Sequence, residues 1–252
     1  MILINKRRTS TSLVNRPTYL ARLARNADEI RAAQRLRFEV FNLELNEGLA
    51  ESHFTGLDID PFDAVCQHLV VEHVPTGEIV GTYRLQTGES AAANIGYYSE
   101  REFDFAPYEP LRGEMIELGR ACVHANHRNF NLLHLLWRGI ANYALEHNAR
   151  FLVGCSSLTS QDASEGTAMF RQFGVKSLVR SEWRTTPHPE FQCGVDLAGS
   201  AGAPPKLMRA YLAIGAKICG PPALDREFGT IDFLTLLDLH ALPAIVRAHF
   251  FK

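Results

Sequence analysis

Glu117 and Arg120 stand inside the run "EMIELGRACV" (Glu114–Val123), among Met115, Ile116, Leu118, Ala121, Cys122 and Val123. A run this apolar reads as a strand buried on both faces. A carboxylate and a guanidinium there must each give up water, which is costly without a partner or a task. Strand side chains alternate faces, so a spacing of three sends the two to opposite sides. Gly119 lies between them, and an isolated strand glycine often marks a bulge. One extra residue at Gly119 brings both side chains to one face and frees a backbone N–H that can meet a developing oxyanion. The chemistry such a set suits is proton removal by Glu117 beside a fixed positive charge, Arg120. The ordinary alternative is a buried structural ion pair, a weak stabilising device because desolvation offsets its attraction.

Few other charges sit where a plain fold would not want them. Arg37 falls between Leu36 and Phe38, near the apolar stripe of a helix, where an arginine ordinarily snorkels to water. "DIDPFDA" offers Asp58, Asp60 and Asp63, whose ordinary role is turn chemistry around Pro61. Arg84 ends an apolar strand. His124 and His127 lack a third ligand, so no metal is expected. Ser156 and Ser157 lack a nucleophile elbow, and no phosphate-binding or dinucleotide glycine pattern occurs, so no bound cofactor is expected.

The elements that must position these residues are legible from periodicity. "TYLARLAR" reads as a first strand. "NADEIRAAQRLRFEVFNLEL" reads as a helix capped by Asn26, with Glu29 completing a capping box. A long polar stretch, "NEGLAESHFTGLDIDPFDA", follows. "QHLVVEHV" and "IVGTYRLQ" flank "PTGE" and predict an antiparallel hairpin. After an irregular stretch comes the strand of Glu117. "NHRNFNLLHLLWRGIANYALEHN" and "ARFLVGCSSL" then give a helix and a parallel return strand, a crossover unit. The last third predicts a short helix ending at Gly174, a loop, a helix over "PPKLMRAYLAIG", strands over "AKICGPPALD" and "TIDFLTLLDL", and an amphipathic helix over "LPAIVRAHFF".

The bulk numbers narrow the class. At 252 residues, with 46% apolar and 21% charged, the chain reads as one soluble α/β domain over 18–252 behind a flexible lead-in over 1–17. A net charge of −2 excludes a globally basic nucleic-acid binder. No apolar run is long enough to span a bilayer, and the N-terminus lacks the order of a signal peptide. Five scattered cysteines point to buried thiols in a reducing cytoplasm.

The order of elements resembles the GNAT acyltransferase fold. That likeness implies a central mixed, twisted sheet flanked by helices, with a C-terminal helix-strand-strand-helix portion. "LRFEVF", "IDPFDA", "IVGTYRL" and "IELGRACV" are similar to the motifs of N-acylhomoserine lactone synthases, whose charged set falls here on Arg37, Asp60, Asp63, Arg84, Glu117 and Arg120. The tryptophan of that family is missing from "NLELNEGLAESHF", which argues against a lactone product. From Tyr19 onward, strings such as "TGLDIDPFDAVCQHLVV", "ELGRACVH" and "LMRAYLAIGAKICGPPALDREFGTIDFLTLLDL" resemble the ornithine N-acyltransferases of ornithine-lipid synthesis and the related long-chain N-acyl amino acid synthases.

This resemblance implies transfer of a long-chain, 3-hydroxy acyl group from acyl carrier protein to an amino-acid α-amine, with ornithine the first choice. Glycine or tyrosine as acceptor is the alternative, and an inactive GNAT domain that only binds acyl chains or carrier protein is a remote one. It places Glu117 as base and Arg120 or Arg37 on the acceptor carboxylate. Asp60 and Asp63 are to organise those arginines or bind the acceptor's ammonium, and Arg84 is to brace the acidic loop. The turn "HANHRNFNLL" has no glycines to cradle a pyrophosphate, which fits a carrier-protein donor with a single phosphate at the helix N-terminus. Arg128, Asn129 and Arg138 are the candidates for the carrier's phosphopantetheine, with Lys206, Arg209 and Lys217 adding positive charge for docking. The amphiphilic product leaves open a peripheral contact of the last helix with the inner membrane.

Overall fold

The computed structural model describes residues 17–194, 199–200 and 202–250. The predicted lead-in falls on residues 1–17, of which 1–16 lie outside the described residues. In chain order the strands and α-helices are β1 (Tyr19–Leu23), α1 (Ala27–Phe38), α2 (Ser52–Thr55), β2 (Gln67–His73), β3 (Glu78–Thr87), α3 (Gly88–Ala93), β4 (Met115–Val123), α4 (Phe130–Glu146), β5 (Phe151–Leu158), α5 (Ala163–Gln172), α6 (Lys206–Ile214), β6 (Lys217–Ile218), β7 (Ala223–Asp225), β8 (Thr230–Asp238) and α7 (Ala244–Phe250).

The strands form one eight-stranded mixed sheet in the order β1-β2-β3-β4-β5-β8-β6, with β7 also on β8. Its β4–β5 pair is parallel, as the crossover through α4 predicts, and the hairpin β2–β3 is antiparallel. Leu132, Leu136 and Ile140 of α4 pack on Ile116, Leu152 and Leu237 on one face of the sheet. On the other face Tyr97, Phe103 and Phe105 pack on Met115, Val153 and Leu234.

Three local readings need correction. Asn26 caps α1 by accepting from Glu29 N–H, but the Glu29 carboxylate turns to the N–H of Arg25, not that of Asn26. Glu29 also pairs with the side chains of Arg22 and Arg25, and that drew it away from a capping box. The first helix does not stay α-helical to Leu45; from Glu39 to Glu44 it widens into a π-helical turn. "AKICGPPALD" is two short strands, β6 and β7, rather than one. Pro221 and Pro222 have no N–H for a ladder. A Cβ at Gly220 would lie 1.9 Å from the Thr185 carbonyl oxygen, so the backbones touch there.

The feature that makes room for a site is the parting of β4 from β5. Their register is Met115–Phe151, Ile116–Leu152 and Glu117–Val153, and then it ends. β4 runs on to Val123 and β5 to Leu158 without meeting again. Gly154 sits where they separate: a Cβ there would be 2.2 Å from the Leu118 carbonyl oxygen. Gly154→Ala must therefore push backbone from backbone, and we expect a stability loss of about 1–3 kcal/mol, read as a lowered denaturant midpoint. A midpoint equal to that of the parent protein would mean that the two strands are free to shift.

Candidate active site

β4 carries the predicted bulge, displaced by one residue. Arg84 of β3 faces Gly119 and Thr82 faces Cys122, so Tyr83 stands opposite both Arg120 and Ala121. Gly119 is not the residue in the left-handed region; Arg120 is, at φ 49°. That backbone is costly for a side-chain-bearing residue, about 1–3 kcal/mol, and is offset by what the guanidinium touches. Its Nη2 donates to Asp60 Oδ2 at 3.0 Å and its Nε lies 3.3 Å from Asp58 Oδ2. The rings of Tyr98 and Phe228 sit on it at 4.8 and 4.3 Å.

Glu117 and Arg120 are not a pair. Glu117 is 6% exposed. Its Oε1 accepts from the N–H and hydroxyl of Ser99 at 2.8 and 2.6 Å, and its Oε2 accepts from Tyr98 N–H at 2.7 Å. Burial pushes the carboxyl above the ordinary range, while the bonds from Ser99 and Tyr98 pull the other way without cancelling it. Tyr98 and Ser99 belong to a 3-10 turn in the stretch that the sequence reading left irregular.

The remaining charges close on themselves. Arg37 is 0% exposed, so it does not snorkel. It grips Asp63 with two bonds of 2.9 and 2.7 Å, and its Nε lies 2.7 Å from Asp58. Arg84 donates to Asp60 at 2.5 Å and to Asp63 at 3.2 Å, bracing the acidic loop. Burial raises the Asp60 and Asp63 carboxyls, but the arginines outweigh it and hold both below the ordinary range. Asp60 also caps the short 3-10 helix Pro61–Ala64, with Asp63 answering it in a capping box. Three arginines and three aspartates thus form an alternating, nearly dry network that ties α1 and the loop to β3 and β4.

A cavity of about 850 Å³ runs through the gap between β4 and β5, in the upper part of the usual ligand-site range. One arm is apolar, formed by Leu133, Leu136 and Trp137 of α4, Leu152, and Met208 and Tyr211 of α6. The other is polar, with Glu117, Arg120, Tyr98, Ser99, Glu47 and Asp232. Arg128, Asn129 and Phe130 line it at the N-terminus of α4, and Lys206 lines it from α6.

Among the residues picked from sequence, Arg84, Glu117, Arg120, Arg128 and Asn129 line this cavity, whereas Arg37, Asp60, Asp63 and Arg138 do not. Arg37 is enclosed by Asp58 and Asp63 and is not placed to clamp a substrate carboxylate. Asp60 and Asp63 are satisfied by arginines and are not placed to take an ammonium. Arg128 pairs with Glu44 and donates to the Val123 carbonyl, and Asn129 caps α4 by accepting from Leu132 N–H. Tyr98, Ser99, Phe228, Glu47 and Asp232 were not picked. The polar residues among them sit on turns or alternate normally on strands, and nothing local marks them.

Burial raises the thiols: Cys66 to about 12, Cys193 to about 11, and Cys155 well above the ordinary value. Thiols held protonated in this way are poor nucleophiles. No helix among the described residues is long and apolar enough to cross a membrane. Phe250 of α7 packs on Trp137 and His134, while Ile245 on the same helix is exposed.

Residues 36–138 match the acetyltransferase (GNAT) domain. The chain is 34% identical over 241 residues to the L-ornithine N(alpha)-acyltransferase of Agrobacterium fabrum, covering 89% of this chain and 82% of that protein. It is 33% identical over 248 residues to the L-ornithine N(alpha)-acyltransferase of Rhodobacter capsulatus, covering 89% and 92%. Its fold is similar to that of FeeM, an N-acyl amino acid synthase from uncultured soil microbes, with a TM-score of 0.52, 16% identity, and 90% and 93% of the two chains covered. With identity of this extent over nearly the whole of both chains, the protein belongs to the L-ornithine N(alpha)-acyltransferase family and is an N-acyltransferase built on the GNAT fold.

Proposed function

We propose that the protein transfers a long-chain 3-hydroxyacyl group from acyl carrier protein to the α-amine of ornithine, forming lyso-ornithine lipid. The observation that carries this reading is the cavity through the sheet, which has a buried carboxylate, Glu117, on its polar side and apolar residues of α4 and α6 on the other. The thioester carbonyl lies in the gap with its chain in the apolar arm. The α-amine comes from the polar arm, gives a proton to Glu117 directly or through water, and attacks the carbonyl carbon. The tetrahedral oxyanion meets backbone N–H groups at the bulge, where the ladder skips Arg120 and Ala121. The C–S bond then breaks, the nitrogen gives up its second proton as the amide forms, and the departing pantetheine thiolate takes that proton up. Arg120 holds the acceptor carboxylate at the rim of its aspartate network. Placement in the gap and these fixed charges supply most of the rate.

A carrier-protein donor is supported by the mouth of the cavity. There the N-terminus of α4 and Lys206 present positive charge, and exposed Arg138 and Arg209 lie on the same two helices. Arg128 is already matched by Glu44, so a carrier must compete for it.

Incubating the purified protein with a panel of amino acids and a long-chain acyl carrier protein or the matching acyl-CoA tests both assignments. The mass of N-acylornithine formed from the carrier donor is expected. N-acylglycine or N-acyltyrosine in its place overturns the acceptor, and turnover with acyl-CoA alone overturns the donor.

A further inference from the structure

Not every acid in the polar arm has a cation. Each aspartate of the network on β3 and β4 touches an arginine. Among the described residues no ion pair reaches Asp232 of β8, Glu102 behind it, or Glu47 across from it. Asp232 is 4% exposed and Glu102 is 1% exposed. Asp232 Oδ1 and Glu102 Oε1 are buried without a hydrogen-bond partner. The Glu102 and Asp232 carboxylates and the Cys155 sulfur lie within 4.8 Å of one another. Glu47 is held by the Thr159 hydroxyl at 2.7 Å and lines the same cavity as Asp232. A dry acid with an open oxygen is costly unless a proton or a cation answers it.

We propose that Asp232 and Glu47, backed by Glu102, form the seat for the side-chain ammonium of a cationic acceptor, and so select a diamino acid over a neutral one. This rests on the reading that the acceptor's α-amine meets Glu117. The spacing agrees with it. Ser99 Oγ lies 2.6 Å from Glu117 and 3.5 Å from Cys155 Sγ, and Cys155 adjoins Asp232. The base and the acid seat are therefore three short contacts apart. The two nitrogens of extended ornithine are roughly 6 Å apart by standard bond lengths, and a hydrogen bond at each end adds about 3 Å. One amine at Glu117 and the other at Asp232 thus fits the cavity wall. Asp232 pairs with Ser157 of β5, on the sheet face that also carries Cys155, Val153 and Glu117.

The titration of the cluster agrees. Burial pushes Asp232 up to about 6, opposed by hydrogen bonding to Ser157 and Thr230 and reinforced by Asp225, and burial with the facing Asp232 and with Asp225 pushes Glu102 well above the ordinary range. A bound ammonium relieves that crowding.

The test compares ornithine with norvaline, which has the same carbon chain without the terminal amine. In the parent protein kcat/KM for ornithine exceeds that for norvaline. In Asp232→Asn that ratio falls roughly a hundredfold, with a smaller fall in Glu47→Gln. A ratio within threefold of the parent value in both variants overturns the seat, as does equal turnover of the two acceptors by the parent. If Asp232→Asn does not fold, Glu47→Gln and a melting comparison decide: ornithine raises the parent Tm and norvaline does not. Equal shifts overturn the seat. Stoichiometric metal in the purified protein, lost in Glu47→Gln or Asp232→Asn, also overturns it. Absence of turnover on any acceptor sinks the acyl-transfer reading instead, and the melting comparison then judges the seat alone.

Discussion

Glu117→Gln lowers kcat/KM by about 10²- to 10⁴-fold, the usual range for losing a positioned base. The fold survives, because the amide keeps the shape and one acceptor oxygen. It puts an NH₂ against a backbone N–H, however, so stability changes by about 1 kcal/mol. Steady-state kinetics with the carrier donor and a melting curve separate the two effects. Since burial raises the Glu117 carboxyl, the proposed base of the parent protein is expected to be lost as pH falls through that raised pKa. The acid limb of its kcat/KM profile therefore sits above the ordinary carboxylate range, and the variant lacks that limb. For stability the sign is opposite. A carboxyl with a raised folded pKa contributes stability that is present below its unfolded pKa and lost as pH rises through the folded one. Near-parent turnover in Glu117→Gln would remove this residue from the chemistry.

Arg37→Met destabilises the protein by about 3–5 kcal/mol, because Asp58 and Asp63 keep their charges in a dry interior with one cation fewer. That is a large share of the roughly 5–15 kcal/mol typical of a whole domain. The measurement is the urea midpoint of the single variant and of Arg37→Met combined with Asp63→Asn. Neutralising the stranded acid restores part of the loss, so the pair costs less than the sum of its parts. A single-variant loss under about 1 kcal/mol would mean that water reaches these carboxylates and that the network is not the anchor of α1.

The sequence exposed the parts of this site that break a local rule. Glu117 and Arg120 interrupt an apolar strand, and the clash with alternation pointed to a bulge. The bulge falls at Arg120 because its ion pairs, not glycine's freedom, hold the left-handed backbone. Arg37 misled because a helix pattern cannot see its partners, which come 21 and 26 residues later in a loop. Asp232 alternates normally in "TIDFLTLLDL", and only the pairing of β8 with β5 brings it beside Cys155. The apolar arm was invisible for the same reason, since α4, α6 and β5 each contribute residues that pass for core. The long helices, the hairpin and the crossover were legible because each is fixed by periodicity within one segment.

The joint between β4 and β5 has a mechanical meaning. It is three residue pairs long, whereas β5 is laced to β8 by eight. The sheet is thus two leaves on a short spine, and the Glu117 carboxylate is bound into the last stitch of that spine. On the proposed mechanism, a bulkier guest would spread the leaves at their free ends and leave the stitch, and Glu117 with it, in place.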